Sequence, residues 1–170
     1  MNFKIIGGIM VIAACGGFGL MIAMTYRKEL RMLRQFIMIL DFMSFELQYH
    51  QLPLPQLCKR SAAEASGVLR KYFLNLSNEL EEQIMPDVQH CVYAATVKSP
   101  ALPKSISHLL HMFGRQLGRY DLEGQLKGLT VVKQECNRIL DKRSDNQEVK
   151  LRSYQTLGLC AGAALAILFI

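Results

Sequence analysis

Apolar residues fall along this chain in two unbroken runs and, between them, in a helical rhythm. From Ile5 to Ala23 the sequence IIGGIMVIAACGGFGLMIA holds no charge and no proline, and the same is true of TLGLCAGAALAILFI from Thr156 to Ile170. At roughly 1.5 Å per residue the first run makes about 28 Å of helix and the second about 22 Å, or about 27 Å if it starts at Ser153. The first is long enough to cross a bilayer; the second is a marginal span. Residues 26–152 carry every proline and every charge except Lys4. The expected organisation is a transmembrane segment over 1–25, a helical bundle domain over 26–152 and a C-terminal membrane segment over 153–170.

Within the middle region no alternating run is long enough for a strand. Leu30, Leu33, Ile37, Leu40 and Leu47 share one face of a first helix, with Arg27, Lys28, Arg31 and Arg34 opposite. Met38, Ile39 and Phe42 intrude on the polar side, a pattern expected of a helix at the centre of a bundle or at a subunit interface. Pro53 and Pro55 stop this helix. A short helix from Gln56 to Ala65 follows, then a break at Gly67, a stripe of Val68, Leu69, Tyr72, Phe73 and Leu76, and an acidic, solvated turn from Glu79 to Gln83. Pro86 suits the first turn of a helix reaching Lys98. After the Ser99-Pro100 and Leu102-Pro103 break, Ile106, Leu110, Phe113 and Leu117 line a helix from Lys104 that Gly118 terminates. Asp121 is placed to N-cap a last long helix with Leu122, Leu126, Leu129, Val132, Cys136, Ile139 and Leu140 in one arc. Its stripe fades into charge from Asp141 to Arg152, a part expected to protrude from the core. Five or six helices with short breaks make an all-α antiparallel bundle.

Composition sharpens this picture. The 51% hydrophobic content of the 170 residues averages two nearly pure apolar ends and an ordinary domain. The net charge of +6 is likewise concentrated beside the ends. Arg27, Lys28, Arg31 and Arg34 follow the first run, and Lys150 and Arg152 precede the second, so the positive-inside rule puts the domain in the cytoplasm with both termini outward. A cleaved secretory signal would also begin with Lys4, but no small-x-small site closes the run and the Arg/Lys cluster resists translocation. Gly158 with Gly162, and Ala13 with Gly17, have the spacing of packed membrane helices, although Gly and Ala are common in such helices anyway. The same basic distribution suits anionic lipid headgroups and argues against nucleic-acid binding.

No catalytic residue, cofactor site or metal site is expected. Gly17 and Gly19 form a GxG with no third glycine, inside a membrane run, and there is no Walker lysine loop, GxSxG or HExxH. His108 and His111 stand three apart on one helix, but no Cys or carboxylate nearby in sequence completes a site, and two solvated histidines is the plainer reading. The five cysteines form no CxxC. Cys15 and Cys160 lie in the membrane runs, and Cys58, Cys91 and Cys136 are expected as free, mostly buried thiols in a reducing compartment.

The stretch LGRYDLEGQLKGL, Leu117 to Leu129, resembles the most characteristic segment of the stage III sporulation protein AB family: LG, an acid three beyond the glycine, then E-x-Q and a lysine. Gly118, Asp121, Glu123, Gln125 and Lys127 match. Between Glu46 and Leu57, Glu46, Tyr49, Pro53, Leu54 and Pro55 also stand in family-like positions, and the arrangement of apolar ends and basic first helix extends the similarity over essentially the whole chain. Tyr120 and Gly128 depart from the pattern, where a small polar residue and a histidine would be usual. The resemblance implies a six-helix bundle like the type II secretion system F domain. It further implies a non-enzymatic platform in the mother cell membrane around the forespore. There it would work beside a cytoplasmic secretion-type ATPase and other membrane proteins of a channel apparatus needed for late forespore gene expression. A homo-oligomer is compatible with it.

From the residues alone, Gly118, Asp121 and Gln125 read first as a well-made helical connection, with a polar contact surface shared with Glu123 and Lys127 as the alternative. The alternative function is a membrane-anchored regulatory adaptor that binds a soluble signalling partner through the basic first helix. An enzyme is disfavoured, since no acid, base, nucleophile or metal constellation converges.

Overall fold

The computed structural model describes residues 2–82, 87–118 and 121–144, with side chains described from Met21 onward except those of residues 22 and 23. Among these residues every regular element is a helix: α1 (Asn2–His50), α2 (Leu54–Glu64), α3 (Gly67–Glu82), α4 (Val88–Val97), α5 (Lys104–Gln116) and α6, described over 122–144. The chain divides into two compact units, Met1–Leu30 with Asp141–Ile170, and Arg31–Leu140.

The helix breaks have simple causes. α2 and α5 each begin just after a Leu-Pro pair whose proline is extended, at φ −61°, and whose carbonyl accepts the first helical hydrogen bond, from Leu57 at 3.0 Å and from Ser107 at 2.9 Å. Proline suits that position because its ring fixes φ and no donor is needed there. α2 starts two residues before the sequence pattern suggests, because Pro55 sits in the first turn instead of blocking it. Gly67, at φ +58°, turns the chain into α3. The described connections 51–53, 65–66 and 98–103 are short, so consecutive helices fold back on one another.

The core of the larger unit is a contiguous apolar body. α1 contributes Leu33, Phe36, Leu40, Met43 and Leu47, α3 Leu69, Tyr72, Phe73 and Leu76, α5 Ile106, Leu109, Leu110 and Phe113, and α6 Leu129, Val132 and Cys136, all buried. At its centre three rings meet: Phe36 and Phe73 at 6.4 Å, Phe36 and Phe113 at 6.2 Å, and Phe73 and Phe113 at 6.2 Å with planes at 85°. The two pairs involving Phe113 are edge-to-face, the arrangement in which ring quadrupoles attract.

One expectation needs correction here. Glu79 does not belong to a solvated turn: α3 runs on to Glu82, Glu79 is 8% exposed, and its carboxylate pairs with the Lys98 ammonium at the end of α4. Position 79 continues the Tyr72–Leu76 stripe, so the helix carries the acid inward and a lysine meets it there. Along α1 the apolar intrusions part company. Ile39 is buried and Phe42 half-buried, while Met38 stays 64% exposed.

Among the described residues no helix is long and apolar enough to cross a membrane. The backbone of α1 is helical through the first apolar run, whose side chains other than Met21 fall outside the described residues, as does the whole of 145–170 with Lys150, Arg152 and the second run. In the smaller unit Arg143 pairs with Glu29 and its guanidinium lies 5.7 Å from the centre of the Tyr26 ring.

Candidate functional site

Two stretches far apart in sequence come together in the larger unit. The first is the C-terminal end of α1. Glu46 is buried there, and its carboxylate accepts a hydrogen bond from Arg60 Nη1 on α2 at 2.9 Å, with His50 Nδ1 at 3.4 Å. A buried carboxylate needs such partners, and these tie α1 to α2 just before the chain turns. The turn itself is made by Gln51 at φ +48°, a left-handed conformation that costs a non-glycine residue about 1 kcal/mol or more. Leu52 and Pro53 then lead into α2.

The second stretch joins α5 to α6. α5 ends at Gln116, the Leu117 amide donates back to the Phe113 carbonyl at 3.3 Å, and Gly118 follows at φ +77°. Glycine is needed there twice over, because a Cβ at this position would stand 2.6 Å from Cγ2 of Val88. Asp121 caps α6, its Oδ1 accepting from the Gly124 amide at 3.0 Å. Gly128, on the next turns of α6, lies so close to α5 that a Cβ would come 2.6 Å from the Gln116 Cβ. That contact gives a physical reason for glycine at this position.

The two stretches enclose a groove of about 340 Å³ lined by Leu47, Gln51, Leu52, Pro53 and Leu54 from one side and Gly118, Leu122 and Gln125 from the other. Its lining side chains are aliphatic except for those of Gln51 and Gln125, whose amides can both donate and accept. Such a surface can seat an apolar side chain of a peptide and hydrogen-bond the backbone beside it. It offers no acid, base or nucleophile for covalent chemistry.

Of the five residues singled out in the α5–α6 stretch, Gly118 and Gln125 line the groove and Asp121 caps the helix behind it. Glu123 and Lys127 do not line it. They form an ion pair of 2.7 Å on the outside of α6, each side chain 75% exposed. In the other stretch Pro53 and Leu54 line the groove, Glu46 holds Arg60, and Tyr49 is 66% exposed. Gln51 was not distinguished in the sequence, since a left-handed glutamine leaves no periodic trace, and Leu122 was read only as part of the apolar arc of the last helix.

The histidines part company. His111 stands with Tyr93, ring centres 6.2 Å apart, in a shallow groove that also holds His90 and Arg115. His108 is exposed, and with Arg138, whose hydrogen bond is the larger cause, it holds the Glu135 carboxyl below the usual carboxylate range. No group of three His, Cys, Asp or Glu among the described residues could hold a metal ion. Cys58, Cys91 and Cys136 are free and buried, and burial pushes the Cys58 and Cys136 thiols up to about 12.

Of the basic residues expected beside a membrane, Arg27, Lys28, Arg31 and Arg34 are exposed along α1.

Comparison with known proteins bears on what this arrangement serves. A solved structure of stage III sporulation protein AB superposes with a TM-score of 0.64 at 20% identity, covering 72% of this chain and 98% of that one, which establishes a shared fold. No curated protein matches the chain. The family model for stage III sporulation protein AB matches residues 4–170, nearly the whole sequence. That family is a component of the sporulation apparatus and is not a known enzyme family. The chain belongs to the stage III sporulation protein AB family.

Proposed function

We propose that the chain is a non-enzymatic membrane platform of the sporulation apparatus, anchored in the mother cell membrane around the forespore. Its helical domain, on the cytoplasmic side, docks a secretion-type ATPase, and the apparatus supports late forespore gene expression. The observation that carries the reading is the convergence of the Glu46–Leu57 and Leu117–Leu129 stretches on one groove. Each stretch has a structural reason of its own. Their meeting also creates a concave surface lined by aliphatic side chains and the side-chain amides of Gln51 and Gln125, the chemistry of peptide docking rather than of catalysis. The exposed Glu123–Lys127 pair on the outside of α6 is a second, polar contact in this reading. Anchoring rests on the two apolar runs and on the basic residues beside them.

The test is co-isolation of the apparatus ATPase with the full-length chain from sporulating cells. Leu122→Glu together with Gln125→Lys is expected to abolish recovery, and Glu123→Ala with Lys127→Ala to weaken it several-fold, both with the helical CD signal intact. Unchanged recovery in the first variant removes the groove as the docking surface, and recovery of a kinase or phosphatase in place of secretion components favours the adaptor. Cys labelling at each terminus tests the anchoring separately, with both termini expected on the non-cytoplasmic side.

A further inference from the structure

The shallow groove between α4 and α5 has a volume of about 510 Å³, within the range of roughly 300–1,000 Å³ usual for small-molecule sites. Gln89, His90, Val92 and Tyr93 line it from α4, His111 and Arg115 from α5. Gly114 sets how closely the two helices approach: a Cβ there would stand 2.7 Å from Cγ2 of Val92, which is buried. With the backbones so close, the residues flanking this contact rise on either side of it as walls. His111 and Arg115 stand one turn apart on one face of α5, and Gln89 and Tyr93 stand one turn apart on α4. The Tyr93 ring, 63% exposed, lies beside the His111 ring at 6.2 Å.

The lining is one-sided in its chemistry. Five of the six side chains carry a hydrogen-bond donor and none is an acid. Arg115, exposed in the last turn of α5, pairs with no carboxylate among the described residues, whereas Glu46 holds Arg60 and Glu135 holds Arg138. Asp87, the acid nearest His90 in sequence, does not line the groove. We propose that this groove binds a phosphate monoester. The number and spread of the donors choose phosphate over carboxylate. A carboxylate offers two oxygens in one plane, which the guanidinium fork of Arg115 satisfies by itself, leaving the donors of the facing helix unanswered. A phosphate presents three terminal oxygens around a tetrahedron, enough to accept from Arg115 and His111 on one wall and from His90 and Gln89 on the other. The Tyr93 ring then borders the organic part of the ester. A small soluble ester and a lipid headgroup share this chemistry.

The experiment is titration calorimetry on the full-length chain in micelles of an uncharged detergent. Phenyl phosphate is the soluble probe, benzoate its carboxylate counterpart and dioctanoyl phosphatidic acid the lipid probe. One saturable site per chain is expected, with phosphate preferred over benzoate at least tenfold. Arg115→Gln and His111→Gln should each weaken it at least tenfold. Arg115 is exposed, so its replacement should leave the helical CD signal unchanged and keeps the test independent of folding. Saturation by phenyl phosphate supports the proposal and assigns a soluble ester; saturation by the phosphatidic acid alone supports it and assigns a headgroup. Equal affinity for benzoate, an affinity indifferent to Arg115→Gln, or no saturable binding of either phosphate would overturn it. Leu122→Glu and Gln125→Lys lie outside this groove, so failure of the docking surface is read independently of failure here.

Discussion

At the centre of the bundle Phe36, Phe73 and Phe113 close on one another from three helices, and nothing there depends on a particular backbone conformation. At the groove the reverse holds: a left-handed Gln51, a left-handed Gly118 and one Asp121 cap set the shape. The centre is held by bulk that many helices could supply. The groove is held by a few positions with narrow requirements, so it can be reshaped without unfolding the bundle, and that separation suits a surface that recognises a partner.

If the contrast is real, substitutions at the two regions should differ in size and in what they expose. Phe36→Ala or Phe73→Ala should cost about 3–5 kcal/mol in urea unfolding, a large part of the stability of an ordinary domain. Such a variant should also speed alkylation of Cys58, which burial keeps protonated: its pKa rises from 9.0 to about 12. Because the unfolded thiol ionises near its ordinary value, unfolding stability should fall as pH rises through that interval, and the wild-type protein should resist iodoacetamide at pH 8. Gly118→Ala should cost about 1–3 kcal/mol, from backbone strain and the Val88 contact, without quickening Cys58 labelling in the folded state. Core-like acceleration in this variant would merge the two regions into one. Asp121→Ala should cost about 1 kcal/mol, the loss of one cap. Gln51→Gly should stabilise by up to about 1 kcal/mol by relieving the left-handed turn, while altering the groove wall. Glu123→Ala should change stability by less than about 0.5 kcal/mol, because its ion pair is exposed, and so should act on association alone.

The core was legible because helical period reports burial. Leu33, Leu40, Leu47, Leu69, Tyr72, Phe73, Ile106, Leu110, Phe113, Leu129, Val132 and Cys136 were placed on inward arcs and all are buried. Phe36 and Met43 were passed over although they share the α1 face, since the leucines alone already defined it. Glu79 was misjudged for the opposite reason: residue type outweighed angle, and the angle was right. The Asp121 cap was read from the sequence because it is local. The groove was not, even though both stretches that form it had been noticed for their resemblance. Its existence depends on residues 47–54 meeting residues 118–125, and no local pattern encodes which helix end meets which connection.

The ion pair between Asp41 and Lys133 joins residues 92 positions apart at 2.5 Å. During synthesis, at about 5–20 residues per second, α1 therefore waits on the order of 5–20 s for α6 to emerge and cover this side of it. A ribosome that stalls in between leaves a nascent helix with an unmet apolar flank, a natural substrate for chaperones. Codons that slow translation before residue 133 should for that reason lower the yield of this protein more than the same codons placed after it.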